Sequence, residues 1–302
     1  MKREGMKSFT ADQVRLGFIG VGAMGSRIMK RLRDRGYQAA VYDSDQNRAA
    51  KLSENGAYVA SSLKELAEHA DVILSCLPND EAVRSVYFAE GGVFAVATDK
   101  VVLEMTTVSP HTSRELHDEG AHRGIEVVDV PIVGSTSAVE QGTITLVAGG
   151  DIAVFQAAKP IFGVLAQRYF LVGPSGSGTS MKLVVNTILG IGMQAIAEAI
   201  ALGEAEGLDR KMLFNVLSQT AVVAPIHKGK LESAEHGDYG SQFAVGMMNK
   251  EFRLILEIAK SSNLELPATT AAFQVNAAAF KEDPAADFSC VVRYMEKMEK
   301  AA

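Results

Sequence analysis

VRLGFIGVGAMG, residues 14–25, decides the fold of this chain. Val14–Ile19 is a short, mostly apolar run that ends in Gly20-Val21-Gly22-Ala23-Met24-Gly25, and helical spacing follows from Ser26 to the break at Gly36. The stretch reads as strand, glycine turn, helix. In that setting Gly20 makes the tight turn, Gly22 lets backbone approach a pyrophosphate, and Gly25 lets helix and strand pack closely. The first helical amides, at Ala23 and Met24, then face the phosphates. A glycine turn alone often serves packing only. This one follows the first strand, opens the first helix and precedes Asp43 at the end of the second strand, near the roughly 20-residue offset of a ribose-binding acid. The pattern predicts a bound dinucleotide. A carboxylate at 43 accepts hydrogen bonds from a free ribose 2′-hydroxyl and repels a 2′-phosphate, which favours NAD over NADP. Arg48 is the residue through which NADP would be held, with a solvated helix arginine as its plainer reading.

Outward from this stretch the alternation continues. Gln38–Tyr42 is strand-like, Gln46–Glu54 helical, Tyr58–Ala60 a short strand, Leu63–Glu68 helical, and Asp71–Leu77 a strand stopped by Pro78. Val101–Met105 and Ile125–Val128 are further apolar runs, each after a helical segment, and Ile144–Val147 and Phe170–Val172 flank a helical segment around Ile152–Leu165. Repeated β-α units predict a doubly wound parallel sheet covered on both faces. Gly173-Pro-Ser-Gly-Ser-Gly178 is the best hinge in the chain. Beyond it strand-like runs disappear, and breaks at Gly207, Pro225, Gly237–Gly240, Pro267 and Pro284 separate helical segments. The expected organisation is a flexible tail at 1–12, a dinucleotide-binding α/β domain at 13–175 and an all-α domain at 176–302.

Composition excludes several function classes. With 302 residues, 47% hydrophobic and 22% charged, the chain has the profile of a globular protein of about two domains. A formal net charge of -6 leaves no general basic surface for nucleic acid or an anionic bilayer. Cys76 and Cys290 are the only cysteines, too few for a disulfide framework and consistent with a reducing, cytoplasmic setting. MKREGMKSFTADQ has no apolar core of a signal peptide. Leu183–Leu202 approaches the length of a membrane span, but Asn186, Gln194 and Glu198 interrupt it, which favours a helix enclosed by other helices or by a second subunit.

Two lysines are candidates for chemistry. Lys182 and Asn186 lie four apart at the start of the long helix, on one face just past the hinge, where they would point into an interdomain cleft. A buried amine there serves as general acid or base once its pKa falls toward neutrality, and an amide one turn on orients the same substrate oxygen. A solvated lysine in a first helical turn is the common alternative. Lys250, in Met-Met-Asn-Lys-Glu-Phe, has the same alternative. The six histidines show no ligand spacing, so no metal is expected.

VRLGFIGVGAMGSRIMKRL (14–32), LEMTTVSP (103–110), VDVPIVGS (128–135) and GSGTSMKLVVN (176–186) resemble, in order and spacing, the four signature segments of the β-hydroxyacid dehydrogenase family, and KEF at 250–252 sits where that family has Lys-Asp-Leu. The resemblance implies an N-terminal Rossmann domain, an all-α second domain, and hydride transfer between NAD(H) and a small, carboxylate-bearing hydroxyacid or its semialdehyde. Lys182 matches the family's catalytic lysine, Asn186 its substrate-holding asparagine, and Lys250 a lysine near the nicotinamide. Leu77 and Pro78 match a Leu-Pro pair, and Thr107 a cofactor-contacting residue. Phe243 matches an aromatic near the active site. One departure stands out. The family's substrate loop has a serine where this chain has Val133, so Gly134, Ser135 and Thr136 are left as candidates to receive the carboxylate. An imine reductase and a non-catalytic dinucleotide-binding module are the rival readings; retention of Lys182 argues against both. The resemblance and the apolar helix together imply a homodimer or homotetramer.

Overall fold

Leu16–Ile19 (β1) is buried along its whole length, as a strand covered on both faces must be. The computed structural model describes residues 6–53 and 56–301. β1 leads into Ala23–Arg33 (α1), and the pattern repeats through Ala39–Tyr42 (β2), Gln46–Ala50 (α2), Tyr58–Val59 (β3), Leu63–Glu68 (α3) and Val72–Ser75 (β4). Asp80–Phe88 (α4) and Val93–Val96 (α5) precede Val101–Glu104 (β5), and Pro110–His122 (α6) precedes Glu126–Asp129 (β6). These six strands are parallel in the order 3-2-1-4-5-6, the doubly wound arrangement whose ligands lie beyond the carboxyl ends of the strands.

Ile132–Val133 (β7), Thr136–Gln141 (α7), Ile144–Gly149 (β8), Ile152–Leu165 (α8) and Ala166–Gly173 (β9) complete the sheet. β8 runs antiparallel to β6 and β7, and β9 runs parallel to β8. Successive strand residues enter opposite layers: Leu16, Phe18, Val72, Leu74 and Val128 join one apolar cluster, while Ile19, Ile73, Val102 and Val127 join the other. Both faces of the sheet are therefore buried, and the α/β class expected from the sequence is the one found.

Ser177–Ala205 (α9) opens the helical part, followed by Arg210–Gln219 (α10), Pro225–Glu235 (α11), Val245–Ser261 (α12), Pro267–Glu282 (α13), a 3-10 turn at Phe288–Cys290, and Val291–Ala301 (α14). Pro225 and Pro267 each stand in the first helical turn, where the missing N–H costs nothing. Met193, Ile196 and Ile200 from α9 pack with Phe214, Leu231, Met248, Phe252 and Phe288 in a third apolar cluster. The chain divides into two compact units, one through Lys182 and one from Leu183.

Three expectations need correction. Of the segment expected as a loose tail, residues 1–5 lie outside the described residues, but Phe9 is buried, its N–H donates to the Ala157 carbonyl, and Tyr37 Oη donates to the Phe9 carbonyl. An aromatic side chain with a place in the core docks its flanking backbone. α2 stops at Ala50, short of the expected end at Glu54, which lies outside the described residues. α9 starts at Ser177, inside the glycine-rich stretch read as hinge, because a side chain from β6 holds its first amides (below). Along α9, Leu183, Asn186, Met193 and Ile200 are buried within this chain, whereas Met181, Val184, Ile188 and Leu202 are exposed, so the enclosure expected of this helix is partial within one chain.

Candidate active site

The glycine turn after β1 tests whether a dinucleotide fits. Gly20 has φ +88, and a Cβ there would stand 2.4 Å from the Cys76 carbonyl oxygen. A Cβ on Gly25 would stand 2.0 Å from the Gly20 carbonyl oxygen. These two glycines are required by the turn itself. Gly22 differs, because a Cβ there would meet nothing within 4 Å. Gly22 is the N-cap of α1, and no side chain caps that helix. Open space in front of uncapped helical amides, at Ala23 and Met24, suits a pyrophosphate. The residues present fit the cofactor expected from the sequence.

Asp43 is buried at the end of β2, where expected, but both its oxygens already accept backbone N–H groups: Oδ2 from Val21 at 2.8 Å and Oδ1 from Asp45 at 2.9 Å. It braces the glycine turn, through the Val21 N–H. Arg48, the residue that would admit NADP, pairs with Asp45 at 3.2 Å.

Leu77, Pro78 and Thr107 follow β4 and β5, and a buried web that the sequence reading missed ties their two loops together. Glu104, the last residue of β5, accepts from Ser75 Oγ and from the Thr106 N–H at 2.8 Å, and Ser75 Oγ in turn meets Tyr87 Oη. Thr106 Oγ1 accepts from the Leu77 N–H at 2.8 Å. Burial pushes the Glu104 carboxyl above the usual carboxylate range and the Tyr87 hydroxyl well above its own. A visible signal existed: Glu104 and Asp129 each close an apolar strand run with an acid at its carboxyl end, in VVLE and EVVD.

Asp129 opens the loop that was expected to receive the substrate carboxylate. Val133 lies in β7 opposite Thr145, so the missing serine hydroxyl is replaced by a strand side chain. Gly134 has φ +153 and sits tight against Ile144. Ser135 Oγ accepts from the Ala138 N–H as cap of α7, lies 2.8 Å from Ser137 Oγ, and has Thr136 directly after it. Lys182, on α9, is only 8% exposed, so the solvated-lysine alternative does not describe it.

Asn186, one turn further along α9, is buried, and its Nδ2 donates to Glu251 Oε2 at 2.7 Å. Glu251 Oε1 lies 3.5 Å from Lys250 Nζ. Glu251 thus holds the amide of one candidate and the charge of another. Phe243 precedes α12; its ring meets Phe288 edge-on at 5.7 Å, and its N–H donates to Asp287 Oδ2 at 3.0 Å. Asp287 also pairs with buried Lys230 at 2.6 Å, so Phe243 is fixed by an ion pair rather than by packing alone. Among the described residues no group of three His, Cys, Asp or Glu could hold a metal ion.

Comparisons with known proteins give the family of the chain. Residues 15–173 match the model for the NAD binding domain of 6-phosphogluconate dehydrogenase, and residues 176–295 match that for the NAD-binding region of NADP-dependent 3-hydroxyisobutyrate dehydrogenase. The chain is 31% identical to 2-(hydroxymethyl)glutarate dehydrogenase of Eubacterium barkeri over 87% of its own length and 88% of the relative's. It is 32% identical to NAD-dependent L-serine dehydrogenase of Pseudomonas aeruginosa, covering 93% and 97%. A solved Mycobacterium tuberculosis 3-hydroxyisobutyrate dehydrogenase with L-serine superimposes with TM-score 0.82 at 25% identity, covering 93% and 98%.

Proposed function

This chain belongs to the β-hydroxyacid dehydrogenase family, and on that premise we propose that it interconverts a small β-hydroxyacid and its semialdehyde or ketone. It is an NAD(P)-dependent dehydrogenase, and hydride exchange is the chemistry the bound nicotinamide supplies. The glycine turn, the first amides of α1, Asp43, Leu77, Pro78, Thr107 and Lys250 bind and orient that cofactor. Two acids at the end of β2, with Arg48 already paired, favour NAD over NADP.

Lys182 Nζ gives a proton to the substrate oxygen in reduction and removes it in oxidation. Asn186, its amide fixed by Glu251, holds that oxygen, while Gly134, Ser135 and Thr136 receive the carboxylate and Val133 and Phe243 line the site. The observation that carries this reading is a buried lysine one helical turn from a buried asparagine whose amide is already oriented by a buried acid. The protein acts as a soluble, cytoplasmic homodimer or homotetramer, with the exposed apolar stripe of α9 as the contact between copies.

The test is NADH consumption against succinic, tartronate and methylmalonate semialdehyde and glyoxylate. NAD reduction with L-serine and 2-(hydroxymethyl)glutarate covers the reverse direction, NADP(H) runs in parallel, and each assay is repeated with Lys182→Ala. The expected outcome is NADH-linked turnover that Lys182→Ala lowers by about three orders of magnitude while NADH binding, read by fluorescence, is retained. Full turnover by Lys182→Ala overturns the assignment, and a strong NADPH preference overturns the role given to Asp43.

A further inference from the structure

Asp129 is almost fully buried at the end of β6, yet it is not part of any ion pair among the described residues. Its two oxygens instead accept backbone N–H groups from the start of α9: Oδ1 from Gly176 and Oδ2 from Thr179, each at 2.8 Å. Ser113, on α6, adds a side-chain hydrogen bond to the same carboxyl. The fit leaves no room for adjustment. A Cβ on Gly149 would stand 2.8 Å from Asp129 Oδ1, and one on Gly178 would stand 2.8 Å from Oδ2 and 2.5 Å from the Val147 carbonyl oxygen. Glycine at both positions lets backbone close directly on the carboxyl.

A carboxyl on helical N-terminal amides satisfies donors that the helix cannot satisfy itself and complements the positive end of the helix dipole. Here it does more than end a helix, because of what lies on either side. Thr179 is three residues before Lys182, less than one turn of α9. Asp129 itself is followed directly by Val130, Pro131 and β7, the chain that leads to Val133, Gly134 and Ser135. One side chain therefore sets both where α9 begins and where the substrate loop begins.

We propose that Asp129 is a positioning residue: through the amides of Gly176 and Thr179 it fixes the place of the Lys182 amine relative to the loop at 133–136. The proposal rests on the reading of Lys182 as the proton donor. Asp129 touches neither substrate nor cofactor; it acts through the helix. Because proton transfer needs heavy atoms within about 3 Å, a shift of about 1 Å in the helix start costs on the order of 100-fold in rate with little effect on binding.

The experiment is a double-mutant cycle with Asp129→Asn, Lys182→Ala and the pair, on the semialdehyde that gives turnover in the panel. Asp129→Asn keeps the shape of the side chain but turns an N–H donor toward one of the two amides. Its kcat is expected to fall about 30-fold or more, with substrate KM and the NADH dissociation constant within about twofold. In the cofactor-free chain, hydrogen exchange at the Gly176 and Thr179 amides should rise about tenfold or more. The pair should be no slower than Lys182→Ala alone, since a helix start that matters only through Lys182 has nothing left to misplace.

Losses that multiply in the pair, or unchanged exchange at the two amides, overturn the proposal while leaving the lysine reading intact. Full turnover by Lys182→Ala overturns both. If Asp129→Asn does not fold, Ser113→Ala removes one of the bonds to the same carboxyl. It is expected to lower kcat about threefold in the native background and not at all beside Lys182→Ala. A loss that persists beside Lys182→Ala overturns the proposal.

Discussion

Four buried acids are each spent on an amide. Asp43 accepts from Val21 and Asp45, Glu104 from Thr106, Asp129 from Gly176 and Thr179, and Glu251 from the side chain of Asn186. A buried carboxylate facing N–H donors is held in place and holds its donors in place, which is what orienting a substrate or a cofactor loop requires. Glu251→Ala is the residue-level test outside α9's first turn. It leaves the Asn186 amide buried without its acceptor, which costs about 1–3 kcal/mol in urea unfolding. It should also lower kcat by about tenfold or more while NADH affinity is unchanged, because the amide proposed to orient the substrate oxygen is then free to turn. A kcat equal to that of the native enzyme would show that Asn186 is oriented without Glu251. Asp43 was legible from its place after the second strand. Glu251 was not, since its partner lies 65 residues away and only folding brings the two together.

At the scale of elements, β1, the glycine turn and α1 form the unit proposed to bind the cofactor, and its three glycines divide by what surrounds them. Gly25→Ala drives a methyl to 2.0 Å from the Gly20 carbonyl oxygen, so either α1 or β1 must move. The expected cost is about 3 kcal/mol or more, seen as a lower thermal midpoint with cofactor binding lost alongside. Gly22→Ala meets open space at an ordinary φ of -65. Its stability should stay within about 1 kcal/mol of native. NADH affinity should nonetheless fall about tenfold or more, because the methyl enters the space a pyrophosphate needs. A Gly22→Ala protein that binds NADH as the native chain does would mean the phosphates lie elsewhere. Helix α9 teaches the opposite lesson about legibility. Its apolar spacing was plain from Leu183 onward, but Ser177 and Gly178 read as hinge because glycine and serine disfavour helix on their own. Asp129, 50 residues earlier than Thr179, overrides that propensity.

For the whole molecule, the exposed stripe on α9 bears on assembly. Met181, Val184, Ile188 and Leu202 recur at helical spacing, and Ile188 is 70% exposed. A charge in that stripe should be costly to an interface and harmless to the folded chain, so Ile188→Glu is expected to reduce the mass in sedimentation velocity to that of one chain with little change in unfolding. An unchanged assembly would place the interface on another surface. The alternation of strand and helix, the glycine fingerprint and the loss of strand-like runs after residue 173 were all readable without a structure. Each rests on local physics: side-chain periodicity, backbone space at glycine, and the reach of a helix N-terminus. From these the sequence by itself determined an α/β nucleotide-binding half and a helical second half, and it put forward Lys182 as the candidate for proton transfer. The tertiary structure alone decided which acids brace which amides, that Glu104 and Thr106 stand behind the Leu77 and Thr107 loops, and that the first turn of α9 exists at all. Ser75 with Glu104, Leu77 with Thr106, Asp129 with Gly176 and Thr179, and Asn186 with Glu251 lie from 29 to 65 positions apart, and a side chain's partner at such a distance is chosen by the closing of the fold rather than by its neighbours in the chain.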